Sequence, residues 1–212
     1  MSRPTGPILA LDAAGGGLSA GVFDERFAPL AERHEPEARG AAHRLLPMAE
    51  ACLAEAGLRW DEIGLIAVST GPGDFTGARI GVAAARGLSL STGAAAAGAS
   101  RFEHWLEAFA AGAEGAVAVA LAARAGMIHV ARFENGRLAE PAPATLSPDA
   151  AAAHLGGARV IGDAAGAEAR PALAALARAA ARNAAMGAGR PAPLYLRPPD
   201  AAPAAPPPPL IG

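Results

Sequence analysis

Residues 63–81 read Ile63-Gly64-Leu65-Ile66-Ala67-Val68-Ser69-Thr70-Gly71-Pro72-Gly73-Asp74-Phe75-Thr76-Gly77-Ala78-Arg79-Ile80-Gly81. The stretch from Ile63 to Ser69 is a nearly unbroken apolar run, the pattern of a strand buried on both faces. Gly71 to Thr76 reads as a loop, and from Ala78 to Leu90 the pattern turns helical, with small residues on one face and Arg79 and Arg86 as its only charges. A buried strand feeding a helix through a glycine-rich loop belongs to a layered α/β domain. At least one of the loop glycines is expected at positive φ, a region that glycine enters without penalty.

Upstream, Ile8-Leu9-Ala10-Leu11-Asp12 is a short buried-strand pattern ended by an acid. Ala13 to Gly17 supply a turn, and Leu18–Phe23 and Ala28–His34 complete an antiparallel meander. Leu45, Met48, Ala49, Cys52, Leu53 and Ala56 then recur at three- and four-residue spacing, predicting a helix over 41–56 closed by Gly57. Downstream the same order returns more faintly. Strands are expected near Val117–Ala122, Met127–Phe133 and Arg137–Ala139, a helix after Ser147, a strand at Arg159–Ile161 and a helix over 167–182. An offset of 110 residues lays Gly16 on Gly126, Phe23 on Phe133, Leu18 on Ile128 and Ala13 on Ala123, while Asp12 falls on Ala122. The expected fold class is therefore α/β, with two duplicated β-β-β-α-β-α lobes spanning 1–99 and 100–197. Residues 198–212, a proline-rich tail, are expected to be extended polyproline or disordered.

Alanine supplies 61 of the 212 residues, whereas Leu, Ile, Val and Phe together supply 41, about 19%. So low a fraction borders on disorder, but disorder also calls for high net charge, and 18 basic against 20 acidic groups leave −2. The chain is expected to fold. Every basic residue is Arg, a bias of a GC-rich genome rather than a mark of function. No basic stripe is present to displace counterions from phosphates, so the chain is not a self-sufficient nucleic-acid binder, and any RNA contact must be shared. The single cysteine, Cys52, excludes an intramolecular disulfide and a multi-cysteine zinc site. With no legible signal peptide, it fits a reducing cytoplasm. The longest uncharged apolar run, Gly87 to Ser100, is mostly Ala, Gly and Ser, far from the roughly 20 strongly apolar residues that a bilayer requires.

Glycine loops between a strand and a helix often bind anions, because backbone N–H groups converge there and the helix N-terminus carries partial positive charge. Three details oppose phosphate here: the spacing is not that of a Walker loop, no Lys follows, and Asp74 adds a carboxylate. Asp74 or Thr76 serves equally as a helix N-cap, worth about 1 kcal/mol. Gly71, Pro72, Gly73, Asp74, Phe75, Thr76, Gly77 and Arg79 thus form a structural or partner-contact element, or, with Asp12, a nucleotide contact. Asp12 itself either caps its turn or holds a metal–nucleotide, as acids so placed do in actin-like ATPases. The second acid of such a site is missing at Ala122. His34, His43, His104, His129 and His154 lack H-x-x-x-H or H-E-x-x-H spacing. Cys52 lies on an apolar helix face, and Ser19, Ser69 and Ser100 lack a nucleophile elbow. No catalytic or metal-binding residue is assigned. Gly77, Gly81 and Ala84 or Ala85 strip bulk from one face of the second helix; with Leu45, Leu46 and Met48 on the preceding one, this is either a partner surface or ordinary packing on the sheet.

Ile8–Asp12, His43-Arg44-Leu45-Leu46-Pro47, the block Ser69–Gly81, Gly98-Ala99-Ser100, Ala123-Arg124 and Pro193-Leu194-Tyr195-Leu196-Arg197 together resemble the bacterial TsaB (YeaZ) family over nearly the whole chain. The chain departs from that family at Asp12-Ala13-Ala14, where Asp-Thr-Ser is usual, at Asp74 (Ser), Ala78 (Leu) and Ala122 (Asp). The resemblance implies an actin-like ATPase fold. It also implies a non-catalytic scaffold or activator in the formation of N6-threonylcarbamoyladenosine at position 37 of tRNAs reading ANN codons. The implied partners are TsaD, the paralogue that transfers the threonylcarbamoyl group, and the ATPase TsaE, with a homodimer when TsaD is absent and tRNA reached only through the complex. The expected partner surface lies on helices 41–56 and 78–90 and comprises His43, Leu45, Leu46, Met48, Ile80, Gly81 and Leu88. No cofactor is expected beyond a weak ATP or ADP contact shared with partners. The alternative class is an enzyme, either a nucleotide-dependent member of the actin-like superfamily or an M22-type peptidase, and the missing metal histidines oppose the peptidase.

Overall fold

The computed structural model describes residues 6–36, 40–166 and 170–196. The expected proline-rich tail and the first residues of the helix expected from 167 lie outside them. Along the chain run β1 (Ile8–Asp12), β2 (Leu18–Phe23), β3 (Pro29–Glu35), α1 (Ala41–Ala56), β4 (Leu65–Ser69), α2 (Phe75–Thr92), β5 (Ala95–Ala99) and α3 (Arg101–Phe109). There follow β6 (Ala116–Ala122), β7 (Ile128–Glu134), β8 (Arg137–Leu146), α4 (Pro148–Leu155), β9 (Arg159–Ile161) and α5 (Leu173–Ala185).

The strands form two sheets, ordered β3-β2-β1-β4-β5 and β8-β7-β6-β9. In each, three strands pair antiparallel as a meander, and the strand after the next helix joins the first strand in parallel. The duplicated β-β-β-α-β-α order is therefore present in the sheets themselves. The offset also survives in the strands, but Asp12 pairs with Ser19 and Ala122 with Ile128, so the second turn is one residue shorter. β5 and α3 have no counterpart in the expected pattern. Ala95-Ala96-Ala97-Gly98-Ala99 carries none of the β-branched or aromatic residues that mark a strand. Its pairing is imposed by β4.

β1 and β4 fix the layering. Leu9, Leu11, Ile66 and Val68 meet Leu45, Cys52 and Leu53 of α1 and Val82 and Ala85 of α2 on one face of the first sheet. Ile8, Ala10, Leu65 and Ala67 point the other way, onto Leu176, Ala177 and Ala180 of α5. Strands apolar on both faces need helices on both faces, so the last helix returns to the first sheet. On the second sheet, Phe102, Trp105 and Leu106 of α3 cover Val119, Leu121 and Phe133, and Ala151 of α4 covers Ala120 and Val130 on the far side. α3 and α5 meet between the sheets. There Glu107 accepts from Arg178 Nε at 3.0 Å and from Arg182 Nη1 at 2.5 Å, and Asn183 Nδ2 donates to Gly98 O at 2.9 Å and Glu103 Oε1 at 3.0 Å.

Three of the boundaries that differ from those read in the sequence have a direct cause. α5 starts at Leu173 because Pro171 biases the residue before it away from helix. β8 continues past Ala139 to Leu146, its Pro141 tolerated because β8 is an edge strand. α2 starts at Phe75, not Ala78, because its cap is Asp74. No helix among the described residues is long and apolar enough to cross a membrane.

Two glycines of α2 make a paired test. A Cβ on Gly77 would lie 1.9 Å from Ala13 O, whereas one on Gly87 would meet nothing within 4 Å. Gly77→Ala is expected to cost about 3 kcal/mol or more, and Gly87→Ala to gain about 0.5–1 kcal/mol of helix stability. Chemical denaturation of both variants checks the pair.

Candidate functional site

The glycine loop is pressed against the β1–β2 turn. Asp74 N–H donates to Ala14 O at 2.9 Å, and a Cβ on Gly73 would fall 2.1 Å from that same oxygen. Gly71 and Gly73 have φ of 95° and 155°, so the loop holds the positive-φ glycines expected of it. Asp74 is the N-cap of α2, its Oδ2 accepting from Gly77 N–H at 3.1 Å, while Thr76 stands exposed in the first turn. Asp12 caps its own turn, with Oδ1 accepting from Ala14 N–H at 2.9 Å. The amides of Ala14, Asp74 and Gly77 are thus bound within the chain, which leaves them no free hydrogen to offer a phosphate.

Arg101, at the first position of α3, completes the cluster. Its backbone N–H donates to Gly71 O at 2.7 Å, Nη1 donates to Pro72 O at 3.2 Å and Nη2 to Asp163 Oδ2 at 3.1 Å. Asp163 Oδ1 accepts from Ala122 N–H at 2.6 Å. A carboxylate therefore reaches the end of β6 although position 122 is alanine. It comes from the turn after β9, too far along the chain for sequence spacing to show. Ser100-Arg101-Phe102-Glu103 did carry a legible signal, a capping box: Ser100 Oγ accepts from Glu103 N–H at 3.1 Å, and Glu103 Oε2 from Ser100 N–H at 2.7 Å.

The first turn of α2 is tied to the last described segment. Arg79 lies 3.7 Å over the Phe75 ring and donates from Nε to Tyr195 Oη at 2.7 Å, with the Phe75 and Tyr195 rings 4.9 Å apart. Leu194 N–H donates to Thr70 O at 2.8 Å, and Arg86 Nε to Pro191 O at 2.7 Å. The Asp74–Arg124 pair, 3.6 Å apart with Arg124 89% exposed, adds little.

The expected partner surface needs correcting. Leu45 and Met48 are buried in the core that α1 and α2 share with the first sheet. Gly81 is buried too, its Cβ direction 3.4 Å from Val68 Cγ2. These three are packing residues, since a period of 3.6 marks an apolar face without saying what covers it. His43 and Leu46 are exposed, and Ile80 and Leu88 are half-buried. Cys52 Sγ donates to Ala20 O at 3.3 Å, and burial pushes its thiol pKa up. His104 is buried and hydrogen-bonds Ala172 O at 3.0 Å; burial holds its pKa below the usual 6.5, opposed in part by the charge of Asp12. Among the described residues no group of three or more His, Cys, Asp or Glu is placed to hold a metal ion.

A family model described as TsaD, tRNA N6-adenosine threonylcarbamoyltransferase, matches residues 35–198. The solved structure of YeaZ from Pseudomonas aeruginosa superposes with a TM-score of 0.69 at 24% identity, covering 91% of this chain and 100% of that one. That of an uncharacterized protein with similarity to peptidase YeaZ from Pseudomonas aeruginosa gives 0.71 at 26% identity, with the same coverage. In sequence, the chain is 33% identical over 151 residues to an uncharacterized protein of Mycobacterium leprae, covering 68% of this chain and 41% of that protein. It is 35% identical over 83 residues to the tRNA threonylcarbamoyladenosine biosynthesis protein TsaB of Escherichia coli, covering 39% of this chain and 35% of that protein. The chain thus spans about two fifths of the length of these curated relatives.

The His104 environment predicts a pH dependence. A histidine kept neutral by burial binds its proton more readily in the unfolded chain, so its contribution is fully present above about pH 6.5 and is lost as pH falls toward the lowered native value. Unfolding measured from pH 7.5 to 5 should show stability falling with acid. In His104→Gln, which keeps a donor for Ala172 O, that slope should be shallower.

Proposed function

The chain belongs to the TsaD (tRNA N6-adenosine threonylcarbamoyltransferase) family, and from that premise we propose that it acts in tRNA threonylcarbamoyladenosine biosynthesis as a non-catalytic partner of the transferase. The observation that carries this reading is the set of internal bonds by which the glycine loop holds the β1–β2 turn. The amides of Ala14, Asp74 and Gly77 bond within the chain, and Arg101 is committed to Pro72 O and Asp163. A catalyst of phosphoryl or acyl transfer needs donors held ready for the charge that develops in its transition state. Here the amides of Ala14, Asp74 and Gly77 and the Arg101 guanidinium are engaged with the fold. The likeness to YeaZ structures along their full length favours the TsaB role over that of the transferase.

In this reading the chain binds a TsaD-type transferase, with TsaE joining the assembly, and pairs with a second copy of itself when the transferase is absent. The modified tRNAs are those reading ANN codons, and they are contacted through the complex. The docking face is the outer side of α1 and α2, where Leu46 is 40% exposed, His43 is exposed, and Ile80 and Leu88 are half-buried. Any ATP or ADP would be shared with a partner.

The test is co-purification of the full chain with the TsaD protein of the same organism, followed by tRNA modification in vitro. Leu46→Glu is expected to fold and to weaken the complex about a thousandfold, because a carboxylate would be buried without a partner. Leu138→Glu, on the edge of the second sheet, should bind normally. Normal binding by Leu46→Glu overturns the surface. Modification of tRNA by the isolated chain, or ATP turnover lost on Asp12→Ala, overturns the non-catalytic role.

A further inference from the structure

Arg101 is the one buried arginine side chain among the described residues, 8% exposed as a residue, and the apolar face of α3 does not account for it. Phe102, Trp105 and Leu106 reach the core of the second sheet, whereas the guanidinium turns toward the β1–β2 turn and the glycine loop. What surrounds it is a set of acceptors. Pro72 O comes from the loop before α2 and Asp163 from the turn after β9. Asp12, at the end of β1, stands beyond ion-pair distance: a point one Cβ length off Gly15 lies 3.2 Å from Asp12 Oδ2 and 3.6 Å from Arg101 Nε. One carboxylate and one carbonyl, drawn from turns of the two sheets, make a recess suited to a cation. Burying a cation is costly unless acceptors of this kind compensate it.

We propose that this recess is a guanidinium-binding site occupied by the chain's own Arg101, a latch that holds the two sheets against each other. The geometry asks for a fork rather than a point charge, since Nη1 and Nη2 serve different elements at once. An ammonium on a lysine stem would satisfy one of them at a time. The packing of the two sheets is then set by an internal group. This inference stands whether or not the proposed role in tRNA modification does.

Chemical rescue tests it on the full chain. Arg101→Ala should melt at lower temperature, and hydrogen exchange at the Arg101 and Ala122 amides, which bond Gly71 O and Asp163, should accelerate about ten- to a hundredfold. Low-millimolar methylguanidinium should restore part of the melting temperature and of the protection. Methylurea, of the same shape but uncharged, should not, and the wild type should respond to neither. Asp163→Asn keeps an acceptor for Ala122 N–H while removing the charge, and should open the same amides without rescue. It carries the test if Arg101→Ala does not fold. Arg101→Lys should fall between wild type and Arg101→Ala. A folded Arg101→Ala with wild-type exchange at these amides, lost protection that methylguanidinium fails to restore, or Asp163→Asn indistinguishable from wild type would each overturn the proposal.

Discussion

Two carbonyl oxygens, those of Ala13 and Ala14, press against the backbone of Gly73 and Gly77, and the rest of the structure is arranged around that approach. No Cβ fits at either glycine, and the contact is bonded through Asp74 N–H. It joins the turn after β1 to the start of α2, and so sets where α2 leaves the first sheet. α1 and α2 then share one core, and α5 is left the opposite face of the same strands. The loop also presents Gly71 O and Pro72 O to Arg101, and through Asp163 it reaches the end of β6 on the second sheet.

The same contact bears on function. Glycine loops that cradle phosphate keep their N–H groups pointed at the ligand. Here those of Ala14, Asp74 and Gly77 are spent on Asp12, Ala14 O and Asp74. Ala13 and Ala14 carry methyl groups and add no side-chain donor to the turn. These bonds fix the loop against the β1–β2 turn, so in this chain the loop serves the architecture of the first sheet.

Much of this was legible in the sequence. The double-sided apolar runs of Leu9–Leu11 and Leu65–Val68 announce strands covered on both faces, and the order of elements announces the duplication. What was hidden has physical causes. The alanine–glycine strand β5 has no propensity of its own and owes its pairing to β4. Periodicity placed Leu45 and Met48 on a face of one helix and Gly81 on a face of the next, but could not say that the sheet already covers both. Asp163 reaches Ala122 only because β9 lies beside β6, a neighbour relation that no local pattern carries. The capping box at Ser100–Glu103 is different: its signal is local and sufficient to start α3, and with it Arg101 could have been placed at a helix start.

The account rests most heavily on a role in tRNA modification without catalysis by this chain. The most direct measurement is mass spectrometry of nucleosides from bulk tRNA, in cells depleted of this protein and in the same cells given back either the wild type or Asp12→Ala. The account predicts that N6-threonylcarbamoyladenosine falls on depletion and that both forms restore it, since Asp12 caps a turn here. An unchanged level on depletion would contradict the role. Restoration by the wild type but not by a stably folded Asp12→Ala would contradict the absence of catalysis.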